Sequence, residues 1–149
     1  MKNELIYSNL KKLMFVFLVA TAFLTLNSCA KKMSFLPSAV VPAAEGEVKV
    51  KTDNNNNQLI EIEIFNLAEP QNLQPAKEMY VVWMETDQGS TRNIGQIVTS
   101  SGSFSKNLKA TFETVTSFQP VKIFITAEND ANVEYPSRVI VLETSQFKR

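Results

Sequence analysis

Leu59-Ile60-Glu61-Ile62-Glu63-Ile64-Phe65 decides the fold of this chain. In an extended backbone successive side chains switch faces, so the three isoleucines fall on one side and both glutamates on the other. Just upstream, Glu47-Val48-Lys49-Val50-Lys51-Thr52 repeats the same two-residue period with valine inside and lysine outside. Between the two runs lie Asp53, Asn54, Asn55, Asn56 and Asn57, residues that bond their own backbone and tolerate left-handed conformations. The whole reads as a β-hairpin with one apolar face.

Outward from that hairpin the chain keeps the strand pattern. Residues 66–77 carry Pro70 and Pro75, which remove backbone donors, and read as a crossing from one sheet to another. Residues 79–86, Met-Tyr-Val-Val-Trp-Met-Glu-Thr, are nearly continuous in apolar side chains and predict a central strand buried on both faces, with Trp83 in the core. Asp87-Gln88-Gly89-Ser90 is a turn into a strand at 93–99, and residues 100–103 lead to a weaker strand at 108–114. After a second crossing at 114–120, residues 121–127 alternate Val121, Ile123, Ile125 and Ala127 against Lys122, Phe124 and Thr126, and residues 138–143 supply a last strand.

Seven short strands without a convincing helix between them predict an all-β, immunoglobulin-like antiparallel sandwich. Its expected core is Ile60, Ile62, Ile64, Val82, Trp83, Ile123, Ile125, Val139 and Val141. Each such side chain, fully buried, contributes about 1.5–3 kcal/mol, so the fold can stand without a disulfide.

Composition narrows the chemistry. The 149 residues hold 15 basic and 15 acidic side chains, one cysteine and no histidine. A thiol pair, a Cys/His zinc site and an imidazole-activated nucleophile are therefore outside its reach. No basic field exists to attract nucleic acid.

The N-terminus has its own logic. Lys2, Lys11 and Lys12 against Glu4 form a positive start, and residues 13–26 are apolar apart from Thr21 and Thr25, short of the roughly 20 residues that span a bilayer. The run leads directly to the one cysteine. Leu26-Asn27-Ser28-Cys29 resembles the lipobox of bacterial lipoproteins, in which the thiol takes a diacylglyceryl group, the chain is cut before the cysteine, and the new amine is acylated. The resemblance implies a signal peptide at 1–28, a lipidated tether at 29–45 and a sandwich domain at 46–149. The 121 mature residues would hold 12 basic and 14 acidic side chains. Three acyl chains, at about 0.8 kcal/mol per buried methylene, would hold the protein to a membrane. The tether carries Pro37 and Pro42 and could extend by at most about 50 Å, with Lys31 and Lys32 either near the headgroups or simply solubilising; docking of Phe35, Leu36, Val40 and Val41 as an edge strand is the alternative to a tether. Ala30 and Lys31 offer no Asp at the second mature position that would resemble an inner-membrane retention cue, so an outer-membrane address is expected.

A second resemblance lies in the body of the chain. Tyr80-Val81-Val82-Trp83, Ile94-Gly95, Ile125-Thr126-Ala127-Glu128 and Pro136-Ser137, in that order, resemble the extracytoplasmic domain of anti-sigma-K factors over residues 78–141. The resemblance implies a sandwich and nothing regulatory, since the sequence shows no counterpart of the cytoplasmic sigma-binding segment and spanning helix that make that family regulatory; Glu128-Asn129-Asp130-Ala131-Asn132 also stands where the family carries a Glu-Pro and Gly-Gly-Ser turn.

Several residues could carry chemistry. Asp53 with its asparagines could offer oxygens to calcium but lacks the spacing of an EF-hand loop. Glu128, Asp130 and Glu134 could form a carboxylate pair, though a polar loop is the plainer reading. Tyr80, Trp83 and Tyr135 could stack on a sugar or peptide, Tyr135 beside Pro136 being the fairer contact and Trp83 the more ordinary core residue. Ser100, Ser101 and Ser103 have no base beside them and read as turn residues. The expectation is a non-catalytic envelope lipoprotein anchored at Cys29, without metal or cofactor, serving an interaction or structural role; the alternative is an accessory module binding glycan or peptide.

Overall fold

The computed structural model describes Met14, residues 30–100 and residues 109–147, so the rest of residues 1–28, the segment expected to be a signal, lies outside the described residues, as do Cys29, Ser101, Ser103 and Leu108. The alternating runs become strands because their apolar halves share a partner. β2 (Glu45–Thr52) pairs antiparallel with β3 (Gln58–Phe65), opposing Val48 to Ile62 and Val50 to Ile60. A slip of one residue would turn every one of these side chains to solvent, which fixes the register.

The remaining strands are β4 (Met79–Thr86), β5 (Thr91–Ser100), β6 (Lys109–Thr116), β7 (Pro120–Glu128) and β8 (Ile140–Glu143). β1 (Lys31–Ser34) precedes them, giving eight strands among the described residues in the order β1-β2-β3-β6-β5-β4-β7-β8. All pairings are antiparallel. The strands form an immunoglobulin-like sandwich of two antiparallel four-strand sheets, β1, β2, β3 and β6 against β5, β4, β7 and β8, with β5 lying mainly in the second. β5 belongs to both, pairing with β4 through residues 91–97 and with β6 through residues 98–100. It changes sheets next to a bulge: Val82 faces Gly95 whereas Trp83 faces Asn93, so Ile94 is extra. Gly95 sits there at φ 136°, where a Cβ would come within 2.8 Å of the Phe112 ring.

One apolar cluster joins the sheets, with Val48, Ile60, Ile62, Ile64 and Ala110 from the first and Tyr80, Val82, Met84, Ile123, Ile125 and Val141 from the second. Three expectations need correction. The eighth strand, β1, arises within the segment read as a tether: Lys31 opposes Val50 and Met33 opposes Val48, and Val41 and Ala44 behind it are buried. The edge-strand alternative is what occurs, shifted toward Lys31, and the sandwich starts well before residue 46. Phe35 forms a bridge to Thr144, Leu36 N–H donates to Glu143 at 2.8 Å, and Ser38 Oγ donates to the Val141 carbonyl, so this segment also closes the gap between the two sheets.

Val139 is not core but 57% exposed, because β8 begins only at Ile140 and Val139 still belongs to the loop before it. Trp83 is fully buried, yet on the other side of β4 from the sandwich interior. It forms a second, smaller cluster with Val81 and Phe124, packed by Met79 and Val133.

Candidate functional site

The sequence of β4 requires its outward face to be covered. Tyr80, Val82 and Met84 point into the sandwich, which leaves Val81 and Trp83 on the opposite face, and all five are buried. The cover is the loop at 129–139, folded back over the second sheet. Asn93 holds it: its Nδ2 donates to Ala131 O at 2.8 Å and to Val133 O at 3.2 Å, while its Oδ1 accepts the Gly95 N–H at 3.0 Å. The residue at the β5 bulge is thus also the clasp of the loop.

Beneath the loop the polar groups form a chain. Trp83 Nε1–H donates to Thr126 Oγ1 at 2.8 Å, and Thr126 donates its hydroxyl to Glu128 Oε1 at 2.6 Å. The same Glu128 oxygen accepts the Ser137 N–H at 2.8 Å, which ties the far side of the loop to β7. Phe124 lies roughly parallel to Trp83 with ring centroids 6.2 Å apart, and Lys122 sits 5.9 Å above the Phe124 ring while pairing with Glu143.

These contacts decide the roles of the expected candidates. Glu128 is buried and engaged in holding the loop, Asp130 accepts the Asn132 N–H at 2.8 Å, and Glu134 is exposed. Among the described residues, no three His, Cys, Asp or Glu side chains come together as metal ligands. Tyr80 donates to Ala68 O at 2.8 Å inside the sandwich, and burial raises its hydroxyl from the ordinary 10.0 to about 12. Of the three aromatic candidates only Tyr135 is available, at 76% exposed.

Asp53 serves its own turn. One oxygen accepts the Asn55 and Asn57 N–H groups at 2.8 Å each, and the other accepts Asn57 Nδ2 at 3.0 Å. These donors, the Asn57 side chain foremost, hold the carboxyl below its ordinary value. A carboxylate already facing three N–H groups is poorly placed to take a cation.

The outer face of the first sheet is a ladder of exposed ion pairs: Lys32 and Lys49 on Glu47, Lys51 on Glu61, and Lys109 on Glu63. Lys32 and Lys49 lower the Glu47 carboxyl, and Glu47 in turn raises Lys49. Water and salt screen pairs of this exposure, so each adds little to stability. Lys32, expected either near headgroups or as a solubilising charge, is therefore matched within the fold. An open groove of about 550 Å³ runs beside the end of β1, with Phe35, Leu36, Pro37, Pro42 and Phe65 among its walls.

No family model, curated protein or solved structure matches the chain.

Proposed function

We propose that this chain is a lipid-anchored protein of the bacterial envelope whose sandwich acts as a non-catalytic interaction or structural module, with an outer-membrane address. The observation that carries the reading is the order of features at the N-terminus: a basic start, an apolar run too short to span, and the single cysteine within Leu26-Asn27-Ser28-Cys29. The folded domain is compatible with it, since Glu128, Asp53 and Tyr80 are each occupied in holding loops and strands. Replacing Cys29→Ser tests it: the protein should move from the membrane fraction to the soluble fraction, and unchanged membrane retention would refute the anchor.

A second reading, an accessory module that captures glycan or peptide, draws support from Tyr135, exposed beside Pro136 on the loop that covers Trp83. An exposed tyrosine offers a broad amphipathic surface for stacking. The check is titration with envelope polysaccharides and peptides against wild type and Tyr135→Ala. Binding lost in the variant favours this reading, and no binding to either removes it.

A further inference from the structure

We infer that the anchored domain stands with the β2–β3 turn against the lipid headgroups and its opposite end directed away from the membrane. This orientation rests on the lipid-anchor reading above. It follows from where β1 starts. Lys31 is already paired with Val50, so only two residue steps, at most about 7 Å of chain, separate Cys29 from a strand fixed in the sheet. A free tether of 29–45 would have let the domain tumble well clear of the surface; the docked strand removes that freedom.

The register of the strands identifies which end faces the lipid. Lys31 lies level with the end of β2, hence beside the turn at 53–57. Gln58 at the start of β3 opposes Thr116 at the end of β6, and Thr86 at the end of β4 opposes Pro120 at the start of β7. The turn at 87–90, the connection at 117–119 and the segment at 145–147 therefore share that end, Phe147 bonding back to Val121. Its surface is rich in neutral hydrogen-bonding groups: Asn54, Asn55, Asn56, Gln88, Gln119 and Gln146. Asp87 is exposed there, whereas Asp53 directs its charge onto its own turn. Such amides can donate to phosphate and ester oxygens without demanding a particular lipid charge. The opposite end holds the crossing at 66–78, about 25 Å away along eight-residue strands.

The test uses full-length protein taken from membranes into vesicles of phosphatidylethanolamine and phosphatidylglycerol. A fluorophore is placed on Asn54→Cys or on Ala76→Cys, both exposed positions, and quenched by a nitroxide on the lipid headgroup. Quenching should be several-fold stronger at position 54 than at position 76. Inserting a long Gly-Ser segment between Ala30 and Lys31 should abolish that difference. Equal or reversed quenching in protein that floats with the vesicles would overturn the orientation while leaving the anchor intact, and a difference that survives the insertion would overturn its origin in the short connection. Protein that fails to float, and whose Cys29 thiol itself accepts the label, would overturn anchor and orientation together.

Discussion

Trp83 and Thr126 meet on the outer face of the second sheet, the indole N–H donating to the threonine hydroxyl at 2.8 Å with both residues fully buried. Thr126→Val keeps the shape and removes the acceptor, leaving the indole N–H without a partner in a dry site. An unsatisfied buried donor costs about 1–3 kcal/mol, so the urea midpoint should fall by that equivalent. Thr126→Ser, which keeps the hydroxyl, should lose less. A midpoint unchanged in the valine variant would mean the hydrogen bond is not made.

Asn93 and Glu128 hold the two sides of the same loop, through Ala131 and Val133 on one side and Ser137 on the other. Asn93→Ala or Glu128→Ala should free the loop and admit solvent to Trp83, the chain's one tryptophan. Acrylamide quenching of its fluorescence should rise in each variant, with faster amide exchange at Ser137 in the second. Quenching no greater than wild type in both would show that the loop does not cover the indole.

How much of this was legible in the sequence depends on how local the cause is. β2, β3, β4 and β7 were readable because strict alternation or an unbroken apolar run leaves few other ways to bury Ile60, Val82 or Ile125. β1 was not, because Lys31, Lys32 and Ser34 have no strand signature of their own; Met33 and the edge of β2 recruit them. For Trp83 the parity was available, since residues three apart on a strand face opposite ways, and Tyr80 had to take the interior if Trp83 did not. What covered it was not, because the clasp depends on Asn93 and Ala131, 38 residues apart. The proposed anchor at Cys29 lies outside the described residues and rests on sequence alone, while Tyr135, one of the aromatic candidates, is exposed.

Acid should weaken the fold through two carboxyls. Glu47 and Asp53 are held below their ordinary values of 4.5 and 3.8, so their stabilisation is present above those values and is lost as pH falls through the lower folded ones. Urea midpoints measured downward from pH 6 or so should show this decline, and Glu47→Gln and Asp53→Asn should each flatten it. The Glu47 part, made by Lys32 and Lys49, should shrink in high salt, while the Asp53 part, made by neutral amides, should not. A slope unchanged in both variants would contradict the assignment.

Alkali acts through Tyr80. Its folded value, raised to about 12, lies above the unfolded value near 10, so the neutral hydroxyl's contribution is complete below pH 10 and is lost as pH climbs toward 12. Absorbance titration should show a late tyrosinate step that Tyr80→Phe removes. A late step surviving in that variant would place it elsewhere.

The proposed anchorage and orientation depend on the state of one sulfur. Mass spectrometry of the N-terminal peptide from protein purified out of bacterial membranes should find it beginning at Cys29 and carrying acyl mass. A peptide beginning elsewhere, or one with a bare thiol, would contradict the proposed anchorage.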